Sequence, residues 1–441
     1  TVMNKTSLFS LRSAAVIITA AVLLLLCACA PAASPQPEAS VCATAQTPIA
    51  EYSFKGDNAR TAGYACGTIR LTQPQNAPQG GYTLYWSDGS APLEQWDSIA
   101  VLSASTPSFS FGSSAAIPYG ASALLLEDRN GSRELLPLPD YKLLSAPDVS
   151  FASVSDIHLN YTHLGAMKKW TNALKWFRRN NIPFVVSSGD IGQNGSAAEY
   201  KKYETCITRA GYTNADILEA MGNHDIPNPE GFLKVTSDGI RSGSEPYYYV
   251  LRKDAGRDNL FIMMASEITE IAATSKQDNF SAAQMDWLEE LVNRYAGKAN
   301  IFVVQHAVMR NFGPGDRVNG AYSQPMLFGE EFPQNTRFRN LLSSHPELIV
   351  LTGHTHLGFS EGLNFTDEPG CARMIHNSSI SQPRSYTSSG SISYDSQGNT
   401  TAENGSEAYI AGIGKDGITF FGVDLSRGLY LPKTSYITPV R

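Results

Sequence analysis

A chain of 441 residues, 42% hydrophobic and 17% charged, describes a folded protein too long for one average domain. Its formal net charge of -7 excludes a nucleic-acid backbone as the main partner, because that partner needs a basic face. A small phosphorylated substrate is compatible with this charge, since a bound cation supplies positive charge locally.

At the N-terminus, Lys5 and Arg12 precede an apolar run from Ala14 to Ala28. Basic, apolar and small residues in that order read as an export signal over residues 1–28, and the run is short for a membrane-spanning helix. Leu26-Cys27-Ala28-Cys29 resembles a bacterial lipoprotein processing box with Cys29 as the lipidated residue; cleavage after Ala30 is the competing reading. Residues 29–40, rich in Pro, Ala and Ser, form a linker. The expected location is extracytoplasmic, lipid-anchored to the cell envelope or else secreted. Beyond the signal lie Cys42, Cys66, Cys206 and Cys371. An exported protein keeps disulfides, so Cys42 with Cys66 is a local bridge candidate, and Cys206 and Cys371 either pair or stay as buried thiols.

Residues 41–147 hold short β-prone runs at Gly67–Leu71, Tyr82–Trp86, Ser98–Leu102 and Ala121–Leu126, with turn signals at Asp88-Gly89 and Asn130-Gly131. A small all-β sandwich, immunoglobulin- or fibronectin III-like, is expected there, as a spacer more than a binding module. Residues 148–441 alternate strand and helix. Val149–Val154, Pro183–Ser187, Ile301–Val304 and Leu348–Leu351 read as strands. Leu164, Met167, Trp170, Leu174 and Phe177 recur at helical spacing. Ser281 and Gln284 have the spacing of a capping box, flanked by Phe280 and Met285 as its staple. Ala408–Asp424 reads as a hairpin turning at Lys415-Asp416-Gly417, and the Ser-rich stretch Ser381–Ser406 as a surface loop. The alternation predicts an α/β domain with sheets covered by helices.

Five motifs follow apolar strands: Asp156-Ile157-His158, Gly189-Asp190, Gly222-Asn223-His224-Asp225, the lone His306, and Gly353-His354-Thr355-His356. Singly, each is more often structural. In this order they gather carboxylate, amide and imidazole at strand ends, where open α/β sheets build their sites. That mixture suits Fe, Mn, Zn or Co.

In type and order these motifs resemble the calcineurin-like metallophosphoesterase superfamily, over roughly two-thirds of the chain. Gln284-Met285-Asp286-Trp287-Leu288 and Asn377-Ser378-Ser379-Ile380 resemble its class III cyclic-nucleotide phosphodiesterase branch. The resemblance implies a four-layer αββα fold and two metal ions, one on Asp156, His158, Asp190 and His356, the other on Asp190, Asn223, His306 and His354. It implies attack on phosphorus by a hydroxide held between them, with His224 stabilising the transition state or protonating the leaving oxygen and Asp225 orienting its ring. The tyrosine that follows the second-motif Asp in purple acid phosphatases is absent here, and His158 is present. Gln193-Asn194 stands where protein Ser/Thr phosphatases place Asp-Arg.

Three further histidines take bland readings: His163 at the surface, His345 at a helix end, and His376 in an apolar strand that either lines the pocket or is structural. Ile226–Pro246 and Val308–Pro333 are the expected pocket walls, the second carrying Arg310, Phe312, Arg317 and Tyr322. The expected activity is hydrolysis of phosphodiesters by a monomer acting on a small phosphorylated substrate. It binds no nucleic-acid scaffold and meets the membrane only through Cys29. A phosphomonoesterase or nucleotidase, or a non-catalytic surface-binding protein on the same scaffold, are the alternatives.

Overall fold

The computed structural model describes residues 47–439, apart from 54–62, 112–114, 139–143, 161–164, 238, 242, 255, 268–278, 311, 316, 319–320, 323–331, 367, 388–392 and 394–403. The expected signal, Cys29, Cys42 and His163 lie outside the described residues, as does most of the Ser-rich stretch. None of the described helices is long and apolar enough to cross a membrane.

Among the described residues, seven strands occupy the N-terminal part: β1 (Ala50–Ser53), β2 (Gly67–Leu71), β3 (Tyr82–Ser87), β4 (Ala100–Leu102), β5 (Ser108–Phe111), β6 (Ala123–Glu127) and β7 (Arg133–Pro137). They form two antiparallel sheets, β1-β2-β5 and β4-β3-β6-β7. Alternation puts Leu84, Trp86, Leu124 and Leu126 on one face, packed with Ile69 and Leu71. Phe421 and Ile437, from the far end of the chain, join that core. At the same seam Trp96 stacks on Tyr430 with ring centroids 5.1 Å apart.

The rest is built on two sheets. In the first, β8 (Val149–Val154), β9 (Phe184–Ser187) and β10 (Ile217–Glu219) run parallel, joined by α1 (Ala166–Arg179) and α2 (Ala197–Arg209). An antiparallel meander, β20 (Glu407–Gly414), β21 (Gly417–Asp424) and β22 (Leu429–Thr438), extends it to the order β10-β9-β8-β20-β21-β22. The second sheet has parallel strands β13 (Arg257–Met263), β14 (Asn300–Val304), β17 (Leu348–Thr352) and β19 (Arg373–His376), with α4 (Ala282–Tyr295) and α5 (Pro333–Ser344) as crossovers. It is edged by β11 (Ile240–Arg241), β12 (Tyr248–Asp254) and β18 (Phe365–Thr366). A short α3 (Pro229–Val235) follows the third motif, and a two-strand ladder, β15 (Arg317–Val318) with β16 (Ala321–Tyr322), lies in the later wall.

Both faces of these strands are apolar, as parallel strands under helices require. Phe151, Phe184, Phe261 and Phe302 meet between the sheets, with Phe261 and Phe302 stacked at 4.6 Å. Their neighbours Ala152, Val185, Ile301 and Val303 face outward. The first two pack with Trp170 and Tyr203 of α1 and α2, the others with Met285 and Phe338 of α4 and α5. This is the expected four-layer αββα sandwich. Truncating one of the inner phenylalanines to alanine would cost about 3–5 kcal/mol.

Two local expectations need correction. Ser281 caps α4 through Gln284 N, but Gln284 does not complete the box. Its buried amide bridges Ala265 N and O at 2.8 and 3.0 Å, and Ser281 N turns to Glu267. The reciprocal box sits instead at Ser196 and Glu199, heading α2. Ser381–Ser406 does not begin as a surface loop: Ser381 and Gln382 are buried. Of the two readings for Cys206 and Cys371 the unpaired one holds: Cys206 is buried, its thiol accepting from Thr171 Oγ1 at 3.4 Å, and Cys371 is half-buried.

Candidate metal centre and active site

Parallel strands carry their C-terminal ends to one side, so β8, β9, β10, β14 and β17 deliver the five motifs to a common cleft. Tight turns there reverse the backbone. Of the six described non-glycine residues with positive φ, five are Asp156, His158, Asp190, His354 and His356. Each such conformation costs of order 1–3 kcal/mol, and it persists where surrounding contacts over-determine it.

The contacts are those of a ligand cage. His356 Nε2 lies 3.1 Å from Asp156 Oδ1 and 3.1 Å from His158 Nε2. His306 Nε2 lies 3.0 Å from Asp190 Oδ2, and His354 Nδ1 lies 3.3 Å from His306 Nε2 and 3.1 Å from Asn223 Oδ1. Asp190 Oδ2 stands between the two groups, 3.6 Å from His158 Nε2 as well. Asp156, His158 and His356 converge on one point; Asp156, Asp190 and His306 converge on a second.

The imidazoles are oriented from behind. Nδ1 of His306 donates to the Ser188 carbonyl at 2.8 Å and Nδ1 of His356 to the Gln382 carbonyl at 3.0 Å, which turns each Nε2 toward the cage. Burial, with His306 nearby, lowers the pKa of His354 to about 4; burial, with Arg384 nearby, lowers that of His356 to about 3. Both rings are therefore neutral, the form that ligates. Burial alone would raise the Asp190 carboxyl pKa, but His306 beside it lowers it, and Asp190 in turn, against burial, raises His306 to about 9, so these two are drawn together as an ion pair.

The residues fit a pair of cations. Asp156 Oδ1 is buried with no hydrogen-bond partner, while Oδ2 takes His354 N at 3.0 Å. Neither Asp156 nor Asp190 pairs with a described Lys or Arg. Buried carboxylates need compensating charge, and a donor set of carboxylate, imidazole and amide offers it to a borderline metal.

His224 is set apart. Its side chain is 21% exposed, against 0–4% for those of His158, His306 and His356, and its Nε2 lies 3.9 Å from Asp190 Oδ2. Its ring is oriented by the Gln193 carbonyl, 2.6 Å from Nδ1, and not by Asp225. The Asp225 carboxylate instead accepts from the main-chain N–H groups of Asp190 and Gly222 at 3.0 and 3.1 Å, fastening two ligand turns together.

Sequence reasoning missed a buried brace over residues 377–382. Asn377 bridges Ser153 Oγ and Ser188 Oγ, tying β8 to the β9 turn. The Ser379 and Ser381 hydroxyls both donate to the Asp156 carbonyl, at 2.9 and 3.1 Å, and hold that positive-φ residue in place. A run of buried Asn and Ser with too few apolar residues to be core was the available signal. His376 is structural: its ring nitrogens meet Thr352 and Thr355 hydroxyls at 3.0 and 2.8 Å, and burial lowers its pKa to about 3. His345 ends α5 and reaches Glu347 at 2.8 Å. Phe312 packs on the outer core beneath Arg339.

Residues 149–358 match the family model of the calcineurin-like phosphoesterases, a span that ends two residues beyond His356. Residues 149–358 thus form a calcineurin-like phosphoesterase domain, a unit that hydrolyses phosphoric ester bonds. No curated protein matches it. Among solved structures it resembles a dimetal phosphatase from Danio rerio, at 13% identity and TM-score 0.43, over 63% of this chain and 97% of that one. It also resembles GAP50, the anchor in the inner membrane complex of Plasmodium, at 14% identity and TM-score 0.45, over 67% and 90%. A third is the purple acid phosphatase PPD1 of yellow lupin, at 11% identity and TM-score 0.41, over 85% and 72%. Identities this low say nothing of substrate.

Proposed function

We propose that the chain hydrolyses phosphodiesters at a dinuclear metal centre, on the outer side of a bacterial membrane to which Cys29 attaches it. The observation that carries the catalytic part is the position of the Asp190 carboxylate, which faces His306 on one side and His158 on the other. Asp156, His158 and His356 would hold one ion, His306, His354 and Asn223 the other, and Asp190 both. Two ions so held supply Lewis acidity at the phosphoryl group and lower the pKa of the attacking water.

The chain's own residues do the rest. Asp225 fixes the spacing of the ligand turns through main-chain N–H groups. The brace at 377–382 fixes Asp156 and the His356 ring. His224, partly exposed beside Asp190 and held by its Nδ1–H on the Gln193 carbonyl, acts as an imidazolium that gives its Nε2 proton to the leaving oxygen and is left neutral. A diester is favoured over a monoester by the likeness of Gln284–Leu288 and Asn377–Ile380 to the class III branch.

The test is turnover of an aryl phosphodiester and its matching monoester by chelated protein after adding back Mn, Zn or Fe, with Asp190→Asn alongside. Metal-restored turnover that Asp190→Asn abolishes is expected, with the diester faster. Folded, metal-loaded protein without turnover on either ester would refute the catalytic reading.

A further inference from the structure

The two helical layers handle charge differently. On one side the acids and bases close on each other: Arg337 lies 2.9 Å from Asp286 and 2.8 Å from Glu289, and Arg294 pairs with Glu290. On the other, α1 carries Lys168, Lys169, Lys175, Arg178 and Arg179 and no acid at all. Helix α2 adds Lys201, Lys202 and Arg209 against two acids. One of these, Glu199, is buried and turned inward, accepting the Ser196, Gln193 and Asn194 N–H groups. Apart from Lys169, whose Nζ donates to the Ser381 carbonyl, none of these cations is ion-paired with a described residue. Six of them are exposed and Lys202 is half-buried. A chain of net charge -7 thus concentrates unneutralised positive charge on one face.

We propose that the α1–α2 face rests on an anionic phospholipid surface. This builds on the reading that the N-terminus holds the chain at a membrane. Residues 29–46 span at most about 60 Å when extended, so the described unit stays within reach of the bilayer that holds its N-terminus. Tethering raises the effective concentration of lipid, and a face too weak to bind alone then suffices. The face also borders the cleft: Lys169 holds Ser381, and Ser381 holds the Asp156 carbonyl. A bilayer there lies beside the metal cage, where phosphodiesters at the lipid surface are presented.

The experiment places full-length protein on vesicles of phosphatidylcholine alone and of phosphatidylcholine with 30% phosphatidylglycerol. It measures acylation of Lys168, Lys175, Lys201 and Lys202 against surface lysines elsewhere, such as Lys253. A charge-reversed variant, Lys175→Glu, Arg179→Glu and Lys201→Glu, is run in parallel, its fold checked by unchanged turnover of a soluble aryl ester. Anionic vesicles alone should slow labelling of the α1–α2 lysines, 0.5 M NaCl should restore it, and the variant should lose the effect. Each cation near an anionic surface strengthens partitioning about fivefold, so losing three weakens it by at least roughly 100-fold, and the three added carboxylates weaken it further. Equal labelling on both vesicles, with the protein bound to each, overturns the docking face while leaving the tether intact. Protein absent from neutral vesicles refutes the tether; anionic-lipid binding that the variant lacks then still supports the face, and no binding at all overturns it. Equal protection by free heparin shows a general anion patch and overturns the lipid assignment.

Discussion

Gly222 packs directly against Asp190, and Gly222→Ala is a sharp test of the geometry. A Cβ there would lie 2.1 Å from Asp190 Oδ1 and 2.4 Å from Asp190 N. Neither atom can swing away: Asp190 N is held by Asp225 Oδ2 at 3.0 Å, and Oδ1 takes His224 N at 3.0 Å. Relief therefore requires the turns after β9 and β10 to part by about 1 Å. Overpacking of this kind costs about 1–3 kcal/mol. A 1 Å misplacement of reacting groups costs roughly 100-fold in rate. The expected variant is folded, unfolds a few degrees lower, and loses about 100-fold in kcat/KM on an aryl phosphodiester. Its metal affinity falls about 10- to 100-fold, as when a partner that orients a ligand is lost. Calorimetry, chelator competition and steady-state kinetics measure the three effects. Wild-type kcat/KM with wild-type metal affinity would show that Asp190 is not fixed against Gly222 and would refute the geometry.

Four more outcomes are expected. His224→Gln should lower kcat by about 100- to 10,000-fold with metal stoichiometry unchanged, and by less on esters with very acidic leaving groups; an equal loss on all esters would remove its acid role. Asp225→Asn should weaken metal affinity about 10- to 100-fold, with turnover partly regained at high metal concentration, as titration would show. Ser379→Ala with Ser381→Ala should act in the same direction by releasing Asp156, with Ser379→Thr as the conservative control. Burial raises the pKa of Glu407 from its ordinary 4.5 to about 7. An acid raised on folding binds its proton more tightly in the native state. Its contribution is therefore full below about pH 4.5 and is lost as pH rises through 7, a change of about 3 kcal/mol. The stability of wild type relative to Glu407→Gln should fall across that window, and a flat difference in denaturant titrations would exclude the shift.

What the sequence made legible follows from where chemistry and chain order coincide. Each ligand motif comes a few residues after an apolar run, and parallel strands bring such positions together whatever their separation, so Asp156 and His356 meet across 200 residues of chain. The inner phenylalanines and the outward aliphatics were equally legible, because alternation on a buried strand is a property of residues next to each other. What was not legible depends on hydrogen bonds from side chain to main chain, which leave no spacing behind them. Asp225, beside His224 in sequence, reads as its ring partner, yet it serves the N–H groups of Asp190 and Gly222. Ser381 reads as a loop residue and Ser379 only as part of a family motif, because nothing in a serine shows that it will hold the carbonyl of Asp156. Gln284 has the spacing of a cap and is used as a buried bridge to Ala265, since a tertiary partner with both a donor and an acceptor outcompetes one helix-end N–H. The same reasoning separates the parts of the cage by how substitution should act. Ligands can be read from their type, while the residues that hold strained turns are found only once the turns are seen. Loss of a ligand should remove a metal outright, whereas loss of a holder such as Ser379 or Asp225 should leave the site intact but weak, and recoverable with excess metal.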